Sequence, residues 1–522
     1  MKSHSTRFLA VLAILATPLC AEVKLASPFT SHMVLQREMK VPVWGTAAAG
    51  ERVTVEFAAQ QKSTAAGADG KWRVDLDALA TSADGREFTV TGSQTAAPVK
   101  LDDVLVGEVW LGSGQSNMVF VVSKARGRPY GLVNEAEEIA AANYPKIRMF
   151  TARDTKTYEP QASVAGEWEV CSPETVPGFS AVGYLFARDL QKELNVPVGI
   201  LLVASGASCA EAWMSREALT ADASLKFMLD SLDACESYFR AAPETRPAVA
   251  PLHPTPINKP RTPPRGGRGE VSDPARDQHF ASVLFNGMLN PVIPYAIRGA
   301  LWYQGESICW GTRGLDLYGH VLRAMIGDWR ARWGEGDFPL YLVQLPGQQN
   351  ISNNPLIREQ QASVLSLPQT AMAVTIDLGE AKDVHPHNKE PLGERLTRIA
   401  LANVYGRPLE FSGPIFASMQ VEGAAARIHF THLGGGLVAK GGPLKGFQVA
   451  GADQRFVDAD ARIDGDTLLV SAATVSSPVA VRYAWDNFPE GLGCNLTNAA
   501  GLPAAPFRTD HWDYPIPGIV ED

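Results

Sequence analysis

A hydroxyl, an imidazole and a carboxylate stand at the ends of apolar runs in this chain. Ser116 lies in "GEVWLGSGQSNMVF", held between Gln115 and Asn117, where an apolar strand stops at a turn of small residues. Gly206 follows "LLVAS"; Gln304, Gly305 and Glu306 follow "ALWY"; Asp383 and His385 lie in "EAKDVHPHNK" after "VTIDLG". Together these are the parts of an acyl-transfer site. A serine hydroxyl needs a base to take its proton, and histidine titrates near neutral pH. The tetrahedral oxyanion needs donors aimed where charge develops. The candidates are the backbone N–H groups of Ser116 and Gly206 and the side-chain amide of Gln304. A helix cap also accounts for a serine after a strand, but capping explains none of the other strand ends.

The elements that must position these residues show in the periodicity. From residue 101 to 405 the runs "DVLVGEVWL", "GILLVAS", "RGALWYQ", "FPLYLVQL" and "AMAVTIDL" are nearly continuous in apolar residues, as parallel strands buried on both faces are. Between two of them Val321, Met325, Trp329 and Trp333 recur every four residues, one face of an amphipathic helix. Strand alternating with helix predicts an α/β/α sandwich whose ligands bind outside the carboxyl ends of the strands. Residues 22–100 and 406–522 are instead short, punctuated, alternating runs, and predict a β-rich module on either side. Residues 241–276 interrupt the α/β segment with Pro and Gly and few large apolar side chains. They read as a mobile surface insert with six cations against three carboxylates, a net charge of +3.

The nucleophile elbow of α/β-hydrolases requires Gly-x-Ser-x-Gly, and "GQSNM" places Met118 at the final position. An early Ser with Asp and His paired near the end of the domain suggests the SGNH arrangement instead. "SHMVLQR", "DDVLVGEVWLGSGQSNM", "AEAW", "WYQGES", "DVHPHNK" with "LGERL", and "VRYAW" with "GLPAAPFRTD" resemble the sialate O-acetylesterase family of SGNH hydrolases, from about Ser31 to Asp510. The resemblance implies an α/β/α catalytic domain joined to β modules and metal-free hydrolysis of acetyl esters on sugars, most of all sialic acid. It implies Ser116 as nucleophile, His385 as base, and Gly206 and Gln304 in the oxyanion hole. Two departures stand out: Gly206-Ala207-Ser208 replaces the usual Gly-Gly-Thr, and Ile308 replaces the usual Asn after "WYQGES". The alternatives are an acetylesterase for xylan or another polysaccharide using the same site, and a carbohydrate-binding protein with an inactive α/β segment.

Asp383 is two residues before His385, and in an extended segment that spacing puts both side chains on one face. Asp383 is therefore a candidate third member of a triad, with a backbone carbonyl as the alternative that orients the imidazole. Asn117 and Glu306 read as supporting residues, His387 as a solvated loop residue. His429 and His432, three apart on a strand, face opposite ways and read as poor metal ligands. Trp213, Trp302 and Trp310 are packing residues or a sugar platform. Asn495 in "NLT" fits a glycosylation sequon. No metal or cofactor is called for.

Residues 1–21 carry Lys2 and Arg7 ahead of an apolar run too short to span a bilayer, the pattern of a secretory signal cut after Ala21. The expected location is periplasmic or extracellular, without membrane insertion; a lipid anchor at Cys20 is disfavoured by Leu19 before it. Loss of that segment takes the formal net charge from −9 to −11, unsuited to nucleic acid. Cys171, Cys209, Cys235, Cys309 and Cys494 then remain, odd in number and without CxxC spacing, so neither a zinc framework nor a redox motif is indicated.

Overall fold

The computed structural model describes residues 22–124, 130–247, 272–309, 315–350 and 353–513. The predicted export signal, the greater part of the 241–276 insert and Trp310 lie outside the described residues.

Among the described residues the centre is the seven-strand path of an 11-stranded sheet: β1 (Val99–Gly114), β2 (Tyr144–Thr151), β3 (Trp168–Cys171), β4 (Val198–Ala204), β5 (Gly299–Tyr303), β6 (Leu340–Val343) and β7 (Thr370–Ala373), in the order β3-β2-β4-β1-β5-β6-β7. All run parallel except β3, which pairs antiparallel with β2 at one edge. In register, Leu111 of β1 faces Leu201 of β4 on one side and Ala300 of β5 on the other. The continuous apolar runs follow from burial on both faces. Leu111, Leu201, Ala300, Trp302 and Leu342 enter one core. Their neighbours Trp110, Ile200, Leu301, Tyr303 and Tyr341 enter the other.

Helices cover both faces. Five are used below: α1 (Ser116–Val119), α2 (Ala181–Leu194), α3 (Tyr318–Trp333), α4 (Asn354–Ser363) and α5 (Glu390–Asn403). The predicted stripe Val321, Met325, Trp329 and Trp333 lies buried in the first core with Trp302. α2 and α5 pack together over the second, contributing Leu185, Leu190, Leu392 and Leu396.

β1 joins two parts of the molecule. Its first half pairs antiparallel with Ser82–Gly92 and parallel with Val34–Gln36, and its second half pairs with β4 and β5, so one strand crosses position 100 without a break. At the crossing, fully buried Glu108 accepts from Arg37 and from Arg298 Nε at 2.8 Å, which satisfies a carboxylate that burial alone would penalise.

The C-terminal strands pack on the end of the sheet that carries β7. Val374 and Ile376, just past β7, enter the same core as Ile428, Val470, Val481 and Tyr483. Buried Arg358 of α4 donates to the carbonyls of Leu345, Pro346 and Asp486, tying the chain after β6 to the C-terminal module. Glu490 of that module accepts from the backbone N–H of Gly379, within the segment that leads to His385.

Candidate active site

The turn after β1 is dictated by close approach. Gly114 has φ +134°, and a Cβ there would stand 2.1 Å from the carbonyl oxygen of Tyr303, so only glycine fits. Gln115 then donates its N–H to that same carbonyl at 2.9 Å. Its buried side-chain oxygen accepts from the N–H groups of Gly305 and Ser307, both at 3.3 Å, locking the turn to the loop after β5.

Ser116 opens α1 but does not cap it: the N-cap is Gln115, and no side chain caps the helix. The Ser116 Oγ instead lies 2.8 Å from His385 Nε2. For that nitrogen to accept, the imidazole proton must sit on Nδ1, which faces Asp383 Oδ1 at 3.4 Å. The same carboxylate oxygen accepts the backbone N–H of His385 at 2.8 Å. Asp383 is thus a carboxylate neighbour of the ring and a clasp on its backbone at once. Its side chain is 45% exposed, that of His385 only 15%. The ring packs against Tyr130 with centroids 4.5 Å apart. Burial holds the imidazole below the usual histidine range, the Lys389 charge adds to that, and Asp383 partly opposes both.

Gly206 stands beside the serine: a Cβ built on it would lie 4.0 Å from the Ser116 Cβ. Among the described residues, neither the Ser116 nor the Gly206 backbone N–H has a hydrogen-bond acceptor within the protein. Ala207 holds a left-handed φ of +57°, so the Gly-to-Ala departure falls at a strained backbone position. Ser208 donates to the carbonyl of Gly114 at 3.3 Å and accepts from Trp213 Nε1 at 3.0 Å.

Gln304 is fully buried, and its Nε2 donates to the Ser208 carbonyl at 3.0 Å while its Oε1 accepts from the Tyr318 hydroxyl at 2.7 Å. One amide hydrogen therefore braces the Gly206–Ser208 loop, leaving one for any other acceptor. Ile308, the second departure, is buried.

Asn117 and Glu306 meet. Asn117 Nδ2 donates to Glu306 Oε1 and, at 2.9 Å, to the carbonyl of Val384, the residue immediately before His385. Burial pushes the Glu306 carboxyl above its usual range. The third partner of Asn117 was not legible in the sequence: Lys389 Nζ donates to its Oδ1 at 2.6 Å. Lys389 is buried, its ammonium 4.8 Å from the Phe120 ring centroid and 5.3 Å from that of Tyr303. Burial pushes its pKa down to about 7, against the opposing charges of Glu306, Glu380 and Asp383. A lysine ahead of a helix in a polar segment has the signature of a surface residue, and only the chain's return beneath α1 buries it.

Among the other candidates, the placement of His387 changes and that of the tryptophans is decided. His387 is not simply solvated: its Nδ1 and backbone N–H both engage Glu380, at 3.0 and 2.7 Å, and its ring meets Phe120 edge-on. Trp213 and Trp302 are fully buried, Trp302 packing edge-on between Trp213 and Trp329, which makes them core rather than a sugar platform. His429 lies on the strand Ala425–Thr431, but His432 falls just past its end at a left-handed φ of +56°, its Nδ1 2.8 Å from Glu410, so the two do not share a strand as the spacing suggested. The Asn495 amide is spent on backbone groups, donating to the carbonyls of Lys440 and Pro443 at 3.0 Å and accepting from the Lys445 N–H. Among the described residues, Cys171, Cys235 and Cys494 form no disulfide. Among the described residues no group of three or more His, Cys, Asp or Glu side chains is placed to hold a metal ion, and no helix is long and apolar enough to cross a membrane.

Comparison with known proteins adds to this geometry. Residues 282–402 match the family described as carbohydrate esterase, sialic acid-specific acetylesterase. The sialate O-acetylesterase of Rattus norvegicus is 28% identical over 539 residues, covering 93% of this chain and 94% of that protein. That of Homo sapiens is 28% identical over 545 residues, covering 93% and 92%. Among solved structures, a carbohydrate acetylesterase from Xanthomonas citri superposes with a TM-score of 0.78 at 32% identity, over 94% of this chain and all of that one.

Proposed function

The chain belongs to the sialate O-acetylesterase family of carbohydrate O-acetylesterases, and on that premise we propose that it takes O-acetyl groups from sialic acid through Ser116 and His385. The observation that carries the mechanism is the 2.8 Å contact between Ser116 Oγ and His385 Nε2 at the carboxyl edge of the sheet. Ser116 Oγ attacks the acetyl carbonyl while its proton passes to His385 Nε2. The oxyanion is met by the N–H groups of Ser116 and Gly206 and the second Nε2 hydrogen of Gln304. Collapse expels the sugar oxygen, which takes the proton from His385 and leaves an acetyl-serine. Water then gives its proton to His385 and attacks the acetyl group; acetate leaves and Ser116 recovers its hydroxyl. Asp383 faces the Nδ1 proton and steadies the imidazolium formed in each half-reaction.

Sialic acid as the natural substrate rests on the matched family and on the relatives' names. The Xanthomonas citri enzyme is described only as a carbohydrate acetylesterase, which keeps an acetylated carbohydrate other than sialic acid, such as xylan, as the second reading. Acetate release from O-acetylated sialosides, acetylated xylan and an activated acetyl ester, each with wild type and S116A, separates them. A sialoside preference in kcat/KM supports the first reading, a xylan preference refutes it, and turnover by S116A removes the mechanism. We also assign residues 1–21 as an export signal; amino-terminal sequencing of the exported protein should begin at Glu22, and retention of Met1 would overturn the assignment.

A further inference from the structure

We propose that Lys389 is a positioning residue of the active site: through the side-chain amide of Asn117 it sets the distance between Ser116 and His385, and its charge keeps His385 in the neutral form that can act as base. The inference rests on the Ser116–His385 mechanism and adds to it a residue outside the nucleophile, base and oxyanion set.

The contact between Ser116 and His385 is doubled one residue along. Asn117, next to the nucleophile, donates to the carbonyl of Val384, next to the base. This second bond holds only if the amide presents nitrogen, not oxygen, to Val384, because a carbonyl cannot donate. Two buried groups settle that choice. Glu306 Oε1 accepts from the Nδ2 side, and Lys389 Nζ donates to the Oδ1 side. A flipped amide would turn its oxygen towards the Glu306 carboxylate and the Val384 carbonyl and its hydrogens towards an ammonium, so three contacts would become repulsive. The bridge therefore links three separate parts of the chain: α1, the loop after β5 and the segment before α5. Phe120 of the turn after α1 and Tyr303 at the end of β5 line the lysine's slot with ring faces, which favours a cation over a displaced water.

The charge has a second effect because Lys389 and His385 share a short segment. The groups facing His385 are Asp383, His387 and Lys389 from its own segment, Ser116 from α1 and the Tyr130 ring from the chain before Leu132. Those facing Lys389 are Asn117, Glu306, Glu380 and Asp383. Of these, the ammonium alone adds a nearby full positive charge that opposes imidazolium formation, apart from His387 when protonated.

Variants of the full chain test this, each first checked by circular dichroism and thermal unfolding. K389M should lower kcat on an activated acetyl ester about tenfold or more with little change in KM, the size expected when a group orienting a catalytic pair is lost. The acid limb of kcat/KM should move to higher pH, because His385 loses a neighbour that disfavours its protonation. N117A should lower kcat without that pH shift, and N117A/K389M should lose little more kcat than N117A, since both act through one amide. Losses that multiply, or a K389M enzyme within threefold of wild type, would overturn the positioning role. If K389M does not fold, K389Q keeps a neutral donor in the slot, and an acid limb identical to wild type there overturns the electrostatic role. Activity surviving in S116A would instead remove the mechanism beneath the inference; an inactive S116A beside an unimpaired K389M removes Lys389 alone.

Discussion

Replacing Asp383 by Asn asks how much of a catalytic triad this site contains. The carboxylate stands 3.4 Å from His385 Nδ1, but its side chain is 45% exposed, so solvent screens the pair. With an effective dielectric constant of roughly 40 to 80 for so wet a pair, Coulomb's law gives about 1.2 to 2.4 kcal/mol for the imidazolium–carboxylate attraction at that distance. On the proposed mechanism an imidazolium forms in the transition state and not in the resting enzyme, so the loss appears in kcat, as a fall of roughly 8- to 60-fold. That is well short of the ~10⁴ loss on neutralising a buried triad carboxylate. The clasp on the His385 backbone N–H survives, because the Asn side-chain oxygen accepts as the carboxylate does. The direction of the pH effect is fixed too. Asp383 raises the His385 pKa, so D383N lowers it, and the acid limb of kcat/KM moves to lower pH, opposite to the shift for K389M. Initial rates on an activated acetyl ester from pH 4.5 to 8 measure both. A kcat loss above about 10³ would mean the pair acts as if desolvated; a limb that moves to higher pH would refute the electrostatic reasoning.

Other outcomes follow from the same geometry. S116A should abolish ester hydrolysis while changing unfolding free energy by no more than about 0.5 kcal/mol, since its hydroxyl caps no helix and, among the described residues, bonds to His385 alone; denaturant titration alongside the rate assay checks both halves. In wild type, kcat/KM should fall as pH drops through a value below the ordinary histidine 6.5, because burial depresses the His385 pKa and the protonated ring cannot accept the serine proton; a pH–rate profile with its acid limb above 6.5 would contradict this. A207G should be neutral to stabilising by up to about 1 kcal/mol, relief of the left-handed strain at φ +57° outweighing the extra chain entropy of glycine; a shift of the urea midpoint to lower concentration would show the alanine methyl to be packing instead.

Much of this protein was legible in the linear order of residues, and for a physical reason. Apolar runs without alternation mark strands buried on both faces, and a strand end followed by small and polar residues marks an edge where backbone groups are open to a ligand; both are local patterns. They singled out Ser116, Gly206, Gln304 and the Asp383–His385 segment as candidates, and the four-residue stripe of α3. What the linear order could not carry is which groups meet once the strands take their order β3-β2-β4-β1-β5-β6-β7. Lys389, the last residue of "DVHPHNK", has no visible partner in the linear order; the segment before α5 must fold under α1 before two aromatic rings close on its ammonium. His387 reads as a loop residue until Glu380 turns back on it. The grip of the C-terminal module on the His385 segment depends on Glu490 reaching Gly379 across 111 positions of chain. Propensity and periodicity act over a few residues, whereas burial, charge pairing and pKa are set by neighbours brought from far along the chain. The kinds of chemistry on offer were therefore local information, and the partners of each candidate group were decided only by tertiary packing.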